Sequence, residues 1–244
     1  MIITSRSNKT AKLFSSLTHK KYREETGLFV VEGKRAVNDV IKAAPELIKE
    51  IITTPEAINE YPDATVFSKE LLSSVCETVT TQGVAAILKR PDPQPAYGEC
   101  ALMLDGIRDP GNLGTLIRTA CAAGYRDVYV KDCTDAYSGK VVRSTMSAIV
   151  KVNVIPANAD TLNLLKERGY VLFGADMGGT SVFEYPAPDN KYCIIIGGEA
   201  NGISDEVRNK CDNIISIPMT GEIESLNAAV SGAVLMYEFL RKKL

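Results

Sequence analysis

The sequence predicts an α/β protein built from two parts. Strand-like apolar runs alternate with helical patterns along its 244 residues. The near-continuous apolar run 193–196 is typical of a strand that is covered on both faces, as in a parallel sheet. The stretch from Arg90 to Gly98 carries three alternating prolines, which cannot continue a helix or a central strand. We therefore predict one domain over residues 1–92 and a second over residues 98–244.

The N-terminal part has the pattern of a small α/β sandwich. Helical spacing extends over Lys34–Ala44 and Lys69–Val79. The runs with strand character are Leu28–Val31, Ile48–Thr53, Thr65–Phe67 and Gly83–Leu88.

The charge distribution separates the two ends of the chain, although the net charge is only −2. Residues 1–50 contain ten Lys and Arg against six Asp and Glu, a balance of +4. The other 194 residues contain 18 against 24, a balance of −6. This asymmetry is compatible with an N-terminal part that faces a polyanion such as RNA.

The C-terminal part alternates more regularly between strand and helix, which indicates a parallel sheet. Its predicted strands are Ala101–Asp105, Asp127–Lys131, Lys151–Ile155, Tyr170–Ala175, Tyr192–Ile196 and Asn213–Ile217.

Several classes of protein are disfavoured by the composition. No apolar run reaches the roughly 18 residues that a membrane span needs, and the N-terminus lacks a signal-peptide pattern, so we predict a cytoplasmic protein without membrane contact. The six cysteines form no C-x-x-C pair, and His19 is the single histidine. A zinc site or a histidine-based triad is therefore hard to build, and no metal is predicted.

Three polar, glycine-rich loops follow predicted strands of the C-terminal part. They cover residues 106–114, 197–204 and 218–227. The carboxyl ends of parallel strands share one edge of the sheet, so the three loops predict a pocket there. No loop has a phosphate-binding pattern such as G-x-G-x-x-G. The sequence therefore favours a ligand without phosphates, held by backbone and apolar walls.

The polar residues in these loops also have explanations that involve no ligand. The helix after the first loop has a buried stripe, and Asn112 and Arg118 lie off it. Asn112 can be a helix cap and Arg118 a solvated charge. Glu199 is equally compatible with a turn, and Ser225 with a cap of the last helix. The stripe consists of Leu113, Leu116, Ile117, Ala120 and Cys121.

Taken together, the three loops make the C-terminal part resemble the SpoU (TrmH) family of RNA 2′-O-methyltransferases, within the SPOUT superfamily. The similarity covers Asp105–Gly124, Ile195–Ser204 and Ile217–Glu238, and extends to Lys140–Arg143. The N-terminal part is similar to the substrate-binding domain of the family, of ribosomal-protein-like fold, chiefly at Phe29–Gly33.

The resemblance implies several properties that the pattern does not. The pattern alone favours an unknotted doubly wound sheet, since true knots are essentially absent from proteins. The resemblance instead implies a trefoil knot through the second and third motifs. It also implies a homodimer whose active site uses residues of both subunits.

The resemblance further implies the reaction and the residues that carry it out. The methyl group of S-adenosylmethionine moves to a ribose 2′-hydroxyl of RNA, and ribosomal RNA is favoured over transfer RNA by the N-terminal resemblance. Arg118 matches the arginine that activates or orients the hydroxyl. Because guanidinium stays protonated, a grip on the adjacent phosphate is an equal alternative. The polar positions matched to the ribose or the arginine are Asn112, Glu199, Ser225 and Asn227, and those matched to the cofactor are Gly197, Gly198, Ile217, Met219 and Leu226.

Two alternatives remain beside this assignment. One is a non-catalytic RNA-binding or ribosome-assembly protein on the same fold, and the other is a SPOUT enzyme that methylates a base. The intact polar positions argue against both. The chain departs from the family pattern at one place. The family often has an Arg-x-Ser-x-Gly pattern, and after Arg143 this chain has Thr145 in place of the serine and Ser147 in place of the glycine.

Overall fold

The structure, a computed structural model, describes residues 1–78, 80–186 and 188–244. Its strands are β1 (Ile2–Ile3), β2 (Leu28–Glu32), β3 (Ile48–Thr53), β4 (Thr65–Phe67), β5 (Val84–Lys89), β6 (Cys100–Asp105), β7 (Asp127–Lys131), β8 (Asn153–Pro156), β9 (Tyr170–Ser181), β10 (Lys191–Gly197) and β11 (Asn213–Ser216). Its α-helices are α1 (Lys9–Ser16), α2 (Lys20–Thr26), α3 (Lys34–Ala43), α4 (Lys69–Val75), α5 (Pro110–Ala122), α6 (Gly139–Ser144), α7 (Asp160–Glu167), α8 (Asp205–Arg208) and α9 (Ala228–Arg241).

The first of two units contains a mixed five-stranded sheet in the order β1-β4-β3-β5-β2. β5 pairs antiparallel with both β2 and β3, while β3, β4 and β1 run parallel. Gly27 ends α2 in the left-handed region, with φ 63°, and lets the chain turn directly into β2. The apolar core includes Phe14 of α1, Leu72 of α4 and Ile52 and Ile87 of the sheet. This unit therefore has the α/β sandwich architecture that the sequence predicts.

Residues 137–150 belong to the first unit, although they are distant from it in sequence. α6 packs against β2, and the ring of Tyr137 lies 5.0 Å from that of Phe29 between centroids. The first unit is consequently residues 1–92 with 137–150, and the second is residues 93–136 with 151–244. One transition between the units lies between residues 92 and 93, and no sequence pattern indicated the excursion at 137–150. A division into independently folding domains stays a prediction.

The second unit contains a six-stranded sheet in the order β11-β9-β10-β6-β7-β8, with every pair parallel. Its central strands are buried on both faces, as the run Cys193–Ile196 predicts. Helices α5 and α9 pack on each other, and α9 also packs on β10. A parallel α/β fold is thereby confirmed for the C-terminal part.

The bounds of the elements agree closely with the sequence patterns. β3, β4 and β7 coincide with the predictions, and the remaining predicted strands are found with shifted ends. β9 is the largest difference, since it continues six residues past the predicted Ala175, to Ser181. The predicted helix from Lys69 ends at Val75, and its predicted end, Val79, lies outside the described residues. Within the described ranges, no helix is long and apolar enough to cross a bilayer.

Candidate active site

The strand order in the sheet of the second unit reverses between the central strands β6 and β10. β6 leads through β7 and β8 to one edge, whereas β10, β9 and β11 lie on its other side. Such a reversal opens a crevice at the carboxyl ends of the strands, where ligands of open α/β sheets bind. The loops after β6, β10 and β11 all begin at these carboxyl ends. They are the three loops that the sequence singles out.

Two consecutive glycines let the loop after β10 fold back on itself. A Cβ added at Gly197 would lie 1.9 Å from the carbonyl carbon of Gly202, and one at Gly198 would lie 2.5 Å from the carbonyl oxygen of Gly106. Both obstacles are backbone atoms, which cannot rotate away. The amide of Gly202 donates to the carbonyl of Gly198 over 2.9 Å and closes the turn. Glycine is therefore required at both positions by close approach.

The buried carboxylate of Asp105 ties this loop to β6. Its Oδ2 accepts a hydrogen bond from the amide of Ser204 over 2.7 Å. Its Oδ1 accepts from Nζ of Lys131 over 3.1 Å. The hydrogen bonds of Lys131 to Asp132 and to Asp105 raise the pKa of the Lys131 ammonium above its ordinary value. Lys131 thus stays charged at neutral pH and holds the Asp105 carboxylate, which fixes the loop that begins at Gly197.

A chain of amide hydrogen bonds joins all three motifs. Nδ2 of Asn112, in the first turn of α5, donates to Oε1 of Glu199 in the second loop. Oδ1 of Asn112 accepts from Nδ2 of Asn227 in the third, over 3.0 Å. Oδ1 of Asn227 in turn accepts from the amides of Ala229 and Val230 and caps α9. Asn112 and Asn227 each donate through Nδ2 and accept through Oδ1, so the side chains of Glu199, Asn112 and Asn227 orient one another.

This arrangement corrects two of the explanations that need no ligand. Asn112 is not the cap of α5, because Asp109 is, and it accepts from the amide of Asn112 over 2.8 Å. Ser225 is not the cap of α9, because Asn227 is. Asparagine, aspartate and serine cap helices about equally well, so capping preference alone does not choose between such neighbours. A role as helix cap therefore does not explain Asn112 or Ser225.

A cleft of about 610 Å³ lies beside this network. All five residues matched to the cofactor line it, and so do Glu199 and Ser225. Its volume lies within the range of roughly 300–1,000 Å³ that is usual for small-molecule sites. The five residues are Gly197, Gly198, Ile217, Met219 and Leu226.

Arg118 stands apart from this cleft. It lies on the exposed face of α5 and does not line the cleft of its own chain. It has no hydrogen bond or ion pair with any residue in the described ranges. Asn112 and Asn227 are hydrogen-bonded to each other but do not line the cleft either. The structure thus brings Asn112, Glu199 and Asn227 together and leaves Arg118 apart.

One wall of the cleft was not found from the sequence. The extended end of β9 contributes Ala175, Asp176 and Met177. Asp176 forms an ion pair with Arg208 of α8, and the side chain of Met177 is 69% exposed. The signal for this wall was the position of these residues after a buried strand, at the same sheet edge as the three loops. The glycines at 178 and 179 hid it, because they read as the end of the strand.

Cysteine chemistry is not favoured beside the first loop. Cys133 is the thiol near the start of this loop, and burial raises its pKa to about 11. Because the thiolate and not the thiol is the nucleophile, Cys133 stays unreactive near neutral pH. The polar amides and carboxylates remain the groups able to orient a substrate.

Comparison with known proteins agrees with this geometry. Residues 99–237 match the model of the SpoU rRNA Methylase family. The chain belongs to this family. Residues 8–86 match the MRM3-like substrate binding domain, which is compatible with the resemblance seen at Phe29–Gly33.

Full-length relatives extend the SpoU match to the whole chain. The 23S rRNA (guanosine(2553)-2'-O)-methyltransferase RlmP of Bacillus subtilis (strain 168) is 32% identical over 96% of this chain and 97% of its own. An AdoMet-bound rRNA methyltransferase from Sinorhizobium meliloti has a TM-score of 0.88 at 27% identity, over 100% of this chain and 98% of that one. A TrmH-family structure from Porphyromonas gingivalis has a TM-score of 0.87 at 30% identity, over 98% and 100%.

The predicted family, enzyme class and cofactor are thereby confirmed: this SpoU protein is an S-adenosylmethionine-dependent RNA 2′-O-methyltransferase. The cleft fits that cofactor. The backbone of Gly197 and Gly198 and the apolar side chains of Ile217 and Leu226 line it, and its described lining contains no Lys or Arg that would form a phosphate site. The individual roles of the site residues stay predictions.

Proposed function

We propose that this protein methylates the ribose 2′-hydroxyl of one nucleotide in ribosomal RNA, with the cleft of the second unit holding S-adenosylmethionine. One observation carries the proposal: the hydrogen-bonded chain of Glu199, Asn112 and Asn227 borders a cleft lined by all five matched cofactor positions. The relative in B. subtilis is named for 2′-O-methylation of 23S rRNA. Ribosomal RNA is therefore the substrate to test first.

In this proposal the cleft binds the donor through backbone and apolar contacts. Gly197 and Gly198 let the loop pack closely on its own backbone and on Gly106, and Ile217, Met219 and Leu226 form apolar walls of the cleft. When bound, S-adenosylmethionine supplies a methyl group on a cationic sulfur that departs as a neutral thioether. The protein's part is to hold the 2′-oxygen in line with that carbon and to exclude competing water.

Arg118 and the amide chain act on the acceptor in this proposal. A guanidinium stays protonated near neutral pH, so Arg118 binds the adjacent phosphate and the 2′-oxygen as a donor and does not accept the proton. Hydrogen-bond donation to the 2′-oxygen stabilises the negative charge that develops there, and the proton is released to solvent water as the oxygen bonds to the methyl carbon. Asn112, Glu199, Ser225 and Asn227 fix the ribose and the arginine relative to the cleft.

A homodimer completes the site in this proposal. Arg118 lies outside the cleft of its own chain, and it is exposed. Helix α9 carries an apolar stripe open to solvent, with Val230 49% and Tyr237 48% exposed one heptad apart, and the half-buried Ala233 and Val234 between them. A stripe of this kind is typical of a helix that packs on a second helix. A second subunit would cover it and bring its own Arg118 to this cleft.

Mixing two inactive variants tests this shared site. Arg118→Ala leaves the cleft intact, whereas Gly197→Ala displaces the loop that lines the cleft and leaves the arginine. Subunits exchanged at random give half mixed dimers with one intact site each, so activity returns to about a quarter of the wild-type value. A monomeric mass by light scattering, or a mixture as inactive as its components, contradicts the shared site.

The proposed topology includes a trefoil knot. β10 occupies the place between β6 and β9, two strands that precede it in the chain. A later strand inserted between earlier neighbours is a condition for threading, and the family resemblance supports the same topology. Digestion at an engineered site after residue 197, followed by unfolding and refolding, would separate threaded from unthreaded chains by their refolding rates.

The proposed division of labour gives residues 1–92 the recognition of RNA and residues 98–244 the transfer. The excess of four positive charges in residues 1–50 supports it. The cytoplasm is the proposed location, because the described cysteines form no disulfide and ribosomal RNA is the substrate. No metal takes part in the proposed reaction.

Transfer of a labelled methyl group to unmodified 23S rRNA tests the proposed activity. Nucleoside mass spectrometry should then find a 2′-O-methylnucleoside. Cleavage of its glycosidic bond should release an unmodified base, because the methyl group is on the ribose. A methylated base would favour the SPOUT base methyltransferase instead. RNA binding without transfer, at saturating donor, would favour the non-catalytic assembly protein.

A further inference from the structure

The first unit contains a cavity of about 270 Å³ that the proposed transfer mechanism does not use. It lies between β2, α3 and the segment 142–149. Its apolar lining consists of Val31, Ala36, Val142, Met146 and Ile149. The volume falls just below the roughly 300–1,000 Å³ of sites for drug-sized ligands, so the cavity suits one aromatic ring system.

The backbone along one wall of this cavity is strained. Met146 has φ 49° and Ser147 has φ 69°, so two consecutive residues with side chains occupy the left-handed region. This is the place where the family pattern often has glycine and this chain has Ser147. Strain of this kind persists where the surrounding structure enforces it, and it collects at ligand sites.

The hydroxyl of Ser147 on this wall is buried and has no hydrogen-bond partner among the described residues. The residue itself is 4% exposed. Buried hydroxyls are almost always paired, so an unpaired one beside a cavity indicates a missing partner. The neighbouring Met146 is 43% exposed and offers its thioether, which packs well against aromatic rings.

Polar groups at the cavity are held in place. Oε1 of Gln82 accepts from the amide of Lys34 over 2.9 Å, so the Gln82 side chain is fixed at the start of α3. Its NH₂ group remains a donor without a partner in the described part of the chain. Arg143 is held by Glu77 over 3.1 Å and stiffens the wall. Arg35 is exposed at the cavity and forms no ion pair with a described residue.

We infer that this cavity is a subsite for one unpaired nucleobase of the RNA substrate, with Arg35 on the phosphate next to it. The inference rests on the proposed function, since it assumes an RNA substrate. Proteins read RNA mainly through unstacked bases that pack on side chains and hydrogen-bond at their edges. The apolar walls receive the faces of the base, and Gln82 and Ser147 meet its edge. Arg35 supplies the charge that a flanking phosphate requires.

A subsite of this kind acts on binding and not on transfer. Filling the cavity should weaken RNA binding while leaving turnover at saturating RNA unchanged. The affinity for S-adenosylmethionine should also stay unchanged, because the cleft of the second unit has its own lining residues.

Ala36→Leu tests the subsite, because leucine is an equally good helix former and its bulk enters the cavity. Ala43→Leu is the matched control, since Ala43 is exposed on the same helix and does not line the cavity. Steady-state methylation of unmodified 23S rRNA separates KM from kcat, and filter binding measures RNA affinity directly. We expect Ala36→Leu to raise KM and the RNA Kd about 5- to 150-fold, as loss of one stacked base does, with kcat unchanged.

A second measurement titrates the wild-type cavity. Met146 is one of six methionines, and Met146→Leu serves only to assign its ¹³C-methyl signal. We expect this signal to shift on titration with at least one of the four nucleoside 5′-monophosphates, and not with ribose 5-phosphate, which lacks the base. The signal of the fully buried Met103 serves as an internal reference.

The two measurements distinguish failure of the subsite from failure of the proposed function. If the wild-type protein methylates no RNA, the proposed function fails, and filter binding and the Met146 signal still decide the subsite. An RNA Kd unchanged by Ala36→Leu overturns the inference. A Met146 signal that ignores all four nucleotides, or that responds equally to ribose 5-phosphate, also overturns it.

Discussion

Replacing Ser147 should make the protein more stable, which is an unusual expectation for a buried position. The residue combines φ 69° with a buried hydroxyl that has no described partner. Ser147→Ala removes the unpaired hydroxyl, whose burial costs about 1–3 kcal/mol, and keeps the backbone strain. Ser147→Gly removes both. The two variants therefore separate the contribution of the hydroxyl from that of the backbone.

The magnitudes follow from these two terms. A left-handed conformation costs an L-residue roughly 1–2 kcal/mol, and the freedom of glycine in the unfolded chain offsets about 0.5–1 kcal/mol of the gain. We expect Ser147→Ala to raise the free energy of unfolding by about 1 kcal/mol, and Ser147→Gly by about 0.5–1 kcal/mol more. In a chain of this size each kcal/mol raises Tm by roughly 2–4 °C.

Urea unfolding, followed by circular dichroism, measures both differences under one protocol. The slope of the free energy against urea should stay constant, so the change appears in the midpoint. A glycine variant less stable than the alanine variant would show that the backbone at 147 is not strained. An alanine variant less stable than the wild type would show that the hydroxyl has a partner in solution.

Three further predictions concern the site and the last helix. Gly197→Ala should abolish binding of S-adenosylmethionine by calorimetry, because the new Cβ would lie 1.9 Å from the Gly202 backbone and displace the loop that lines the cleft; Gly98→Ala, with nothing within 4 Å, should bind normally. Arg118→Ala should lower single-turnover methylation by about 10²–10⁴ with donor affinity within a few-fold, and near-normal activity would mark a solvated arginine. Hydrogen bonding to Arg241 lowers the pKa of Glu238 to about 2, below its ordinary 4.5. The stability that Glu238 contributes above pH 4.5 should therefore be lost as pH falls towards 2, and Glu238→Gln should flatten this dependence in acid unfolding.

The sequence predicted the elements well because the decisive signals are local. The run Cys193–Ile196 fixes a buried strand by composition alone, and the loops at its edge follow from parallel pairing. The caps were harder to predict, since Asp109 and Asn112, or Ser225 and Asn227, are alternative caps within three residues of each other. The sequence pattern does not show which of two neighbouring capping residues caps the helix.

The contacts between distant segments could not be predicted from pattern. Asn112 and Asn227 are 115 residues apart, and no period relates them. The packing of residues 137–150 with the first unit likewise depends on tertiary contacts of α6 and Tyr137 with β2. The family resemblance supplied the grouping of the site residues, and the structure supplied the hydrogen bonds among three of them.

The position of β10 in the sheet also governs when the protein can fold. Ile194 pairs with Leu102, so the central pairing of the sheet joins residues separated by 92 positions. A ribosome must make the chain through β10 before this pairing forms, and until then β6 presents an unpaired edge on that side. Newly made chains are thus open to edge-to-edge association at β6 while the 92 positions between the partners are made, and chaperones can act during that interval.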